Sequence, residues 1–459
     1  MIENIKAVHL MGVGGAGMSA LAKLLRAEGL EVSGCDLKQP HYDLANILVS
    51  PCIIGHSPEH INQFKPQALV LSSAVSHDNP EVLKAEESGI KIYSRAQVLS
   101  GLFNNAQGIG IAGAHGKTTT TSMTGLIFLN AGLDPTIYVG ANVPDIGSNA
   151  ISGHGQENYF IAELDESDGT FELFHPSIAI ITNADWDHVD HYKTRDEVIE
   201  AFTRFADGRK KFLIMCAEDE GTSHVYEKLS NRNNIIRYGW GKSFDWGAYD
   251  IVNNPGGGIS CKVSHKGSEL GRLELAVSGE HNILNSLAAM AAADLCGVDF
   301  HTSAEILRHF HGSERRMQVK GSRNNILVID DYAHHPCEIK ATLNALRGIY
   351  PDKRIILIYQ PHRFSRTAKF APDIARALNL ADEIFLLPVY SAGEKELSHS
   401  SSDEIIKLSE KAVTRVNNND DALNVIEPRL KSGDILLTMG AGDVYRIGEK
   451  FLGHHEHAE

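Results

Sequence analysis

The sequence predicts a three-domain α/β protein whose sheets are mainly parallel. The chain has 459 residues, which is length for about three domains of ~150 residues each. Short apolar runs alternate with amphipathic helical segments, a pattern typical of doubly wound sheets. This alternation begins three times, and the first two beginnings lead into glycine loops. We therefore expect domains over residues 1–106, 107–312 and 313–459.

Composition narrows the class of protein. Hydrophobic residues make up 42% and charged residues 22%, as in ordinary globular proteins, and no apolar run reaches the ~18 residues of a membrane span. The first residues lack the features of a secretory signal. The six scattered cysteines form no C-x-x-C pair, which favours a reducing cytoplasm. The formal charge of −15 argues against nucleic acid or an anionic membrane as a partner.

The first domain is predicted to be Rossmann-like. An apolar strand leads into Gly12, Gly14 and Gly17, whose G-x-G-x-x-G spacing lets the backbone approach a diphosphate at a helix N-terminus. A second strand ends at Asp36, close to the ~20-residue offset of a ribose-binding acid. The loop alone suggests NAD, but a UDP-sugar carries a diphosphate as well. Tight strand–helix packing without any ligand is the plain alternative.

The second domain is predicted to be a P-loop ATPase domain with a mainly parallel sheet. An apolar strand leads into GAHGKTT at residues 113–119, where Lys117 can reach the β- and γ-phosphates of a nucleotide and the next hydroxyl can bind Mg²⁺. Ile111 stands where the general P-loop pattern has its first glycine, so this loop is a shorter variant. The prediction here is ATP binding.

Acidic residues follow two strands of the second domain. Glu163 ends one predicted strand and opens a segment with four carboxylates, the place where a P-loop protein holds Mg²⁺. His188 lies in the polar segment TNADWDHVDHY, which follows the next strand. A role in binding metal or phosphate is favoured for His188, although a hydrogen-bonding network would use the same residues.

The third domain is predicted to be a Rossmann-like α/β domain. The segments DDYAHHP and QPHRFSR each close a strand, and open α/β sheets bind ligands at the carboxyl ends of their strands. Arg363 and Arg366 are three residues apart, so they share a face on a first helical turn. Two guanidinium groups suit a carboxylate or a phosphate. A pair of surface salt bridges is the plain alternative.

Periodicity and the placement of glycines predict the individual elements. The predicted strands cover residues 5–10, 31–36, 68–73, 108–113, 159–163, 177–182, 326–330, 354–358, 383–387 and 434–438. The predicted helices cover a segment after residue 17, which Gly29 ends, and residues 119–131, 338–348 and 370–380. Residues 255–258 are expected to interrupt a β region.

Taken together, a series of segments resembles the Mur ligase family over essentially the whole chain. In order they are GVGGAGMSALA, SGCD, SSAVSHDNPE, GAHGKTTTT, AELDESD, TNADWDHVD, GEHNILN, DDYAHHP, QPHRFSRT and PVYSAGE. QPHRFSRT and DDYAHHP are similar to the family member that adds L-alanine. The resemblance implies a cytoplasmic, ATP-dependent ligase of peptidoglycan precursor synthesis, and so of cell wall biogenesis, cell shape and cell division. Its reaction joins L-alanine to the lactyl carboxylate of UDP-N-acetylmuramate through an acyl phosphate.

The resemblance also implies roles for individual residues. The expected catalytic residues are Lys117, Glu163, His188, Arg363 and Arg366. The expected ligands of Mg²⁺, or of Mn²⁺ in its place, are Thr118, Glu163 and His188. The expected ATP contacts are Gly113, Ala114, His115, Gly116, Lys117, Thr118, Thr119, His281, Asn282, Asn285, Arg315 or Arg316, and Asp331. The expected contacts of UDP-N-acetylmuramate and alanine are Gly14, Gly15, Ala16, Gly17, Met18, Asp36, Ser72, Ser73, Arg95, Tyr332, His334, His362, Arg363 and Arg366.

The sequence departs from the family pattern at two positions. Ala114 stands where the family's loop usually has threonine, and Trp186 is bulky beside the expected metal histidine. We predict no carbamylated lysine in residues 205–211. The runner-up within the family is the murein tripeptide ligase of cell-wall recycling. Outside it, an NAD-dependent oxidoreductase or a nucleotide-gated binding protein remains, and the sequence leaves open whether the protein is a monomer or a homodimer.

Overall fold

The computed structural model describes residues 5–40, 44–189, 191–254, 257–394 and 402–453. It shows a three-domain α/β fold in which each domain has its own, mostly parallel sheet. A search of the described helices finds none that is long and apolar enough to span a membrane.

The first sheet is entirely parallel. Its elements are β1 (Ala7–Met11), α1 (Ala16–Ala27), β2 (Glu31–Asp36), β3 (Ile53–Ile54), α2 (Glu59–Phe64), β4 (Ala68–Leu71), α3 (Pro80–Glu87), β5 (Lys91–Ser94) and α4 (Arg95–Phe103). The strand order is β3-β2-β1-β4-β5. Alternate residues of β1 enter two different cores, because successive side chains of a strand point to opposite faces. Leu10 packs in one core with Leu21 of α1, and Met11 packs in the other with Ile61 of α2 and Val82 of α3.

The second sheet is the largest. Its elements are β6 (Gln107–Ala112), α5 (Lys117–Asn130), β7 (Thr136–Val143), β8 (Ser148–Ile151), β9 (Tyr159–Glu163), a 3-10 helix (Thr170–Leu173), β10 (Ile178–Ile181), α6 (Arg195–Asp207), β11 (Phe212–Cys216), α7 (Glu220–Lys228), β12 (Ile235–Trp240), β13 (Trp246–Asn253), β14 (Ile259–His265), β15 (Ser268–Leu275), α8 (Glu280–Leu295) and α9 (Phe300–Arg308). The strand order is β15-β14-β13-β12-β11-β10-β6-β9-β7-β8. Because β9, β6 and β10 are parallel neighbours, the three loops at their carboxyl ends lie side by side.

The third sheet is parallel except at one edge. Its elements are β16 (Gln318–Arg323), β17 (Ile326–Asp331), α10 (Pro336–Ile349), β18 (Ile355–Tyr359), α11 (Phe364–Leu378), β19 (Glu383–Leu386), α12 (Ser402–Leu408), β20 (Val413–Arg415), α13 (Asn419–Ile426), a 3-10 helix (Glu427–Arg429), β21 (Ile435–Met439) and α14 (Tyr445–Leu452). The strand order is β16-β17-β21-β18-β19-β20, and only β16 pairs antiparallel. The loops after β17 and β18 therefore open on the same edge of the sheet.

Two predicted strands, 31–36 and 159–163, have the predicted bounds. The predicted start of the helix 370–380 is wrong, because α11 begins at Phe364. Proline lacks a backbone N–H and is tolerated best in the first turn of a helix. Pro372 nevertheless lies inside α11, which continues beyond it to Leu378. Of the predicted interruption at 255–258, the first two residues lie outside the described part of the chain.

Candidate active site

The loop that joins β6 to α5 is fixed by polar residues that follow β10. The His115 N–H donates to Asn183 Oδ1 at 2.8 Å, and the His115 carbonyl accepts from Asn183 Nδ2 at 2.8 Å and from Thr182 Oγ1 at 2.6 Å. Gly113 has a φ of +145°, and a Cβ there would lie 2.0 Å from Thr182 Oγ1. Glycine is required at this position because both the backbone angle and the space exclude a side chain.

Lys117 turns back over this loop from the first position of α5. Its Nζ donates to the carbonyls of Gly113 at 2.5 Å and Ala114 at 3.2 Å, and to Glu166 Oε1 at 3.0 Å. Burial works against the charged ammonium, but the Glu166 carboxylate raises the pKa of Lys117 above its ordinary value. Lys117 is therefore a buried cation at the position where a P-loop lysine meets phosphate.

Thr118 and Glu163 bring two oxygen ligands together beside Lys117. Thr118 Oγ1 donates to Glu163 Oε1 at 2.9 Å, and the Gly140 N–H donates to Glu163 Oε2 at 2.6 Å. Hydroxyl and carboxylate oxygens are the ligands that Mg²⁺ prefers. The donor set at this point therefore fits a magnesium ion.

Glu166 links Lys117 to His188. The His188 Nε2 lies 3.3 Å from Glu166 Oε1, and Glu166 is only 2% exposed. His188 has a φ of +52°, a left-handed conformation that residues other than glycine rarely adopt. Its N–H donates to Asp187 Oδ1 at 2.6 Å. His188, which the sequence predicts to be a metal ligand, is thus linked to Lys117 through the single carboxylate of Glu166.

Asp187 and Arg366 form a buried ion pair between the second and third domains. The Arg366 Nε and Nη2 donate to Asp187 Oδ1 and Oδ2 at 2.9 and 3.0 Å, and both side chains are 4% exposed. Burial works against ionisation, but the Arg366 guanidinium holds the pKa of Asp187 well below its usual range. The Arg366 guanidinium group, which the sequence predicts to bind a substrate carboxylate, is therefore already bound by a protein carboxylate.

His362 and His334 lie beside Arg366 at the edge of the third sheet. His362 Nδ1 lies 3.1 Å from Arg366 Nη1, and the His334 and His362 ring centroids are 5.5 Å apart. Tyr332 meets His334 edge-on at 5.6 Å. Burial and the nearby Arg366 charge lower the pKa of His334 to about 3, and burial with the neighbouring His334 lowers that of His362 to about 2. Both imidazoles are neutral at physiological pH.

Arg363 lies at a different point from Arg366. It is the residue that precedes α11, with a φ of +67°, and its Nη1 lies 3.6 Å from Glu394 Oε1. The Arg363 side chain is 32% exposed, whereas that of Arg366 is 4% exposed. The structure therefore separates the two arginines that the three-residue spacing placed on one face.

A cavity of about 660 Å³ opens between the second and third domains. Nine predicted ATP contacts line it: His115, Gly116, Thr118, Thr119, His281, Asn282, Asn285, Arg316 and Asp331. Gly113 and Ala114 precede His115 in the same loop, and Lys117 lies in sequence between the lining residues Gly116 and Thr118. Burial and Arg316 lower the pKa of His281 to about 4, and burial raises that of Asp331 to about 6. The cavity therefore combines a neutral imidazole with the Arg316 cation. Arg315 instead donates to Asp330 Oδ2 at 2.9 Å.

The predicted diphosphate loop lies between the first and second domains. The Gly14 N–H donates to Asp36 Oδ2 at 2.9 Å, so Asp36 supports the loop itself. A Cβ on Gly17 would lie 2.1 Å from Arg95 Nη1, and the Gly17 carbonyl accepts from Tyr138 Oη at 3.0 Å. Arg95 therefore lies directly against the loop.

The other predicted contacts in the first domain differ in their exposure. A Cβ on Gly12 would lie 2.9 Å from Ser72 Cβ, so Ser72 borders the loop, while Ser73 is exposed. Gly15 precedes α1, Ala16 begins it, and Met18 is buried in its first turn. Met18 therefore belongs to the core beneath the loop.

Three family models match the chain in succession. They are "Mur ligase family, catalytic domain" over residues 7–107, "Mur ligase middle domain" over 111–293 and "Mur ligase, glutamate ligase domain" over 315–442. The chain belongs to the Mur ligase family.

Similar Mur ligases cover the chain from end to end. A protein named UDP-N-acetylmuramate–L-alanine ligase from Dictyoglomus turgidum is 41% identical, over 98% of this chain and 97% of its own length. One of the same name from Desulfatibacillum aliphaticivorans is 38% identical, over 98% and 99%. The crystal structure of UDP-N-acetylmuramate-alanine ligase MurC from Thermotoga maritima has a TM-score of 0.83 at 28% identity, over 99% of this chain and 100% of that one. A murein peptide ligase from Psychrobacter arcticus scores 0.75 at 26% identity, over 98% of both chains.

Several polar residues of this Mur ligase site were not singled out from the sequence. Glu338 is one: its Oε2 accepts the N–H groups of His334 and His335 at 3.1 and 3.2 Å, and its Oε1 lies 3.2 Å from His115 Nδ1. Glu166 and Asp187 were seen only as members of acidic segments. A capping box could have identified Glu338, because an acidic residue at the third position of a helix is typical of that motif.

Proposed function

We propose that the protein is an ATP-dependent ligase that joins L-alanine to the lactyl carboxylate of UDP-N-acetylmuramate. The observation that carries the proposal is a continuous chain of contacts from Lys117 through Glu166 to His188, whose N–H binds Asp187, the partner of Arg366. This chain joins a phosphate-binding loop to a cationic pocket in another domain, as a reaction between a nucleotide and an amino acid requires. An oxidoreductase would have no use for Lys117 or for the arginine-lined edge of the third sheet.

Each domain has one reactant to hold in this proposal. Residues 1–106 hold the UDP-sugar at the glycine loop, residues 107–312 hold ATP, and residues 313–459 hold alanine. The cavity between the second and third domains suits ATP, because Gly116 and Thr118, the neighbours of Lys117 in sequence, line it together with the amide groups of Asn282 and Asn285. We place the reaction in the cytoplasm, where ATP and the nucleotide-sugar are made available.

The chemistry needs ATP because a carboxylate oxygen is a poor leaving group. Transfer of the γ-phosphoryl group to the lactyl carboxylate gives an acyl phosphate, and the amine of alanine then attacks its carbon with loss of phosphate. Lys117 neutralises charge on the transferring phosphoryl group. The protein contributes mainly position and electrostatic stabilisation.

Magnesium fits two points of the site. Thr118 and Glu163 would hold one ion, and His188 with Glu166 would hold a second. A bound divalent cation supplies charge neutralisation between phosphate and carboxylate oxygens. The Gly140 N–H fixes one oxygen of Glu163 and leaves the other directed at Thr118.

Alanine is held at the edge of the third sheet in this proposal. Arg363 anchors its carboxylate, and Tyr332, His334 and His362 form the wall of the pocket. Arg366 acts as a positioning residue, because Asp187 already accepts both donors of its fork. A histidine with a pKa of about 3 is too weak a base to take the amine proton. We therefore assign His334 a contact role and not that of a general base.

The test is phosphate release from ATP measured with each substrate omitted in turn. The proposal requires release that depends on both UDP-N-acetylmuramate and L-alanine, with UDP-N-acetylmuramoyl-L-alanine as the product by mass spectrometry. Replacing alanine with the muramyl tripeptide L-Ala-γ-D-Glu-diaminopimelate tests the runner-up. Faster turnover with the tripeptide would make the protein a peptide-recycling ligase, and release without the UDP-sugar would contradict both assignments.

A further inference from the structure

Four metal-ligating side chains meet inside the first domain, on the face of the sheet that carries α2 and α3. His9 is on β1, Cys35 on β2, His60 on α2 and Glu81 on α3, and one ligand atom of each lies within 4.8 Å of the others. The four residues are 0%, 0%, 7% and 0% exposed, respectively. None of them belongs to the sites described above.

The contacts in this cluster converge on the Glu81 carboxylate. His9 Nε2 lies 2.9 Å from Oε1, His60 Nδ1 lies 2.9 Å from Oε2, and Cys35 Sγ lies 3.6 Å from both oxygens. The Ser57 N–H donates to Oε2 at 3.0 Å. Three side chains and one backbone N–H therefore meet at this single buried carboxylate.

The histidine on β1 places its Nε2 against the Glu81 carboxylate without a well-formed hydrogen bond. Within the described residues, His9 Nε2 has no hydrogen bond of acceptable geometry, although it is fully buried and close to Glu81. Its Nδ1 lies 2.8 Å from Ser33 Oγ, and Ser33 Oγ donates its only proton to the Val8 carbonyl at 3.2 Å. On binding a metal, Nδ1 would carry the ring proton toward Ser33 Oγ and Nε2 would offer its lone pair to the ion. A histidine that donates from its far nitrogen while its near nitrogen faces other ligands is typical of metal sites.

We propose that His9, Cys35, His60 and Glu81 form a structural site for a divalent transition metal of the zinc class. Two imidazole nitrogens, one thiolate and one carboxylate are a tetrahedral zinc set, whereas Mg²⁺ and Ca²⁺ prefer oxygen ligands and do not favour a thiolate. The thiolate and the carboxylate together balance the charge of the cation. A neutral buried site avoids the cost of an uncompensated ion in an apolar interior.

The spacing of the ligand atoms needs only a small adjustment. Bonds of about 2.0–2.3 Å in a tetrahedron place ligand atoms roughly 3.3–3.8 Å apart. The 3.6 Å between Cys35 Sγ and Glu81 already has that length, and the two 2.9 Å contacts must open by about 0.4 Å. The metal would tie α2 and α3 to β1 and β2 directly below the glycine loop, since His9 precedes Gly12 by three positions.

The experiment uses the full chain and Co²⁺ as a spectroscopic probe for the zinc site. The protein is stripped with a chelator and reloaded, metal is counted by mass spectrometry, and the near-ultraviolet band of a thiolate–cobalt bond is recorded. The background carries alanine at His454, His455 and His457, so that the histidine-rich end contributes no binding. We expect one tightly bound metal per chain, a thiolate–cobalt band, and a higher Tm on loading.

Two variants and two controls locate the metal. Cys35→Ser should abolish the thiolate band, and His60→Asn should weaken binding at least roughly tenfold while keeping the thiol. Cys52→Ser is the matched control because it removes a partly buried thiol in the same domain that is not one of the four proposed ligands. Cys337→Ser removes the thiol of a second His–Asp–Cys group beside the ATP cavity. Both controls should retain the band and the stoichiometry.

Several results would overturn the proposal. They are a stripped protein that takes up no Co²⁺ or Zn²⁺, a band that survives Cys35→Ser, and a band lost in Cys337→Ser alone. If circular dichroism shows that Cys35→Ser does not fold, His60→Asn decides, because it removes a ligand from helix α2 and leaves the strands of the sheet unchanged. Unchanged metal affinity in His60→Asn would then refute the site.

Discussion

Replacing Asp187 with asparagine tests whether its ion pair with Arg366 joins the second and third domains for catalysis. Both side chains are 4% exposed, and the two nitrogen–oxygen distances are 2.9 and 3.0 Å. Removing the carboxylate charge leaves the guanidinium buried without its counter-charge, which costs about 3–5 kcal/mol. Because the partners belong to different domains, this cost falls on the association of the domains and leaves the folding of each one intact. At ~1.36 kcal/mol per tenfold, kcat/KM for alanine should fall roughly 150- to 5,000-fold.

The assay is steady-state phosphate release with varied alanine, together with thermal unfolding. The control variant is Glu172→Gln, because Arg204 binds Glu172 in a pair of equal geometry, at 2.7 and 2.8 Å, on the surface. These side chains are 57% and 30% exposed, and such pairs contribute about 0–1 kcal/mol. The reasoning is refuted if Asp187→Asn lowers kcat/KM no further than Glu172→Gln does. A lower Tm with normal kinetics would also contradict it, since the pair would then stabilise a domain and not the active arrangement.

Four further substitutions test the other parts of the site. Lys117→Ala should abolish turnover, because a charge lost from a phosphoryl-transfer site costs several kcal/mol of barrier, and single-turnover phosphate release checks this. Glu166→Gln should lower kcat at least roughly tenfold and also lower Tm, since the amide leaves the buried Lys117 charge without its counter-charge. Gly14→Val places Cβ 3.0 Å from Asp36 Oδ2, so KM for the UDP-sugar should rise far more than KM for ATP. Arg363→Lys keeps the charge but loses the fork, so KM for alanine should rise while calorimetry shows unchanged UDP-sugar binding.

The parts of the fold that the sequence predicts well are those specified by local chemistry. The Gly113 loop is an example, because its backbone angle and its contact with Thr182 leave no choice but glycine. The strands 31–36 and 159–163 were also predictable from their apolar runs. No individual strand was predicted at β7, β8 or β13 to β15, although the antiparallel partners are neighbours in the chain, because these strands mix polar with apolar residues.

The site residues that could not be predicted from the sequence interact with partners that are distant along the chain. Glu166 was one of four acids in a loop, and spacing alone does not show that it turns inward to Lys117 while Asp168 stays at the surface and accepts from Thr170. Asp187 likewise meets Arg366 across 179 positions. Local periodicity contains no information about such pairs, since they are fixed by how whole domains meet.

The arginine pair shows why chemistry could be predicted while roles could not. Each of three cations proposed to meet an anionic reactant already has a protein carboxylate within reach: Glu166 for Lys117, Asp187 for Arg366 and Glu394 for Arg363. A substrate anion therefore competes with a protein acid instead of meeting an unpaired charge. The competition is weakest at Arg363, whose contact is the longest at 3.6 Å and whose side chain is the most exposed of the three, and strongest at Arg366, where two short bonds are buried. Since only the weakly held cation can exchange partners at low cost, Arg363 is the better anchor for alanine, and Arg366 serves by holding the two domains that the reaction must bring together.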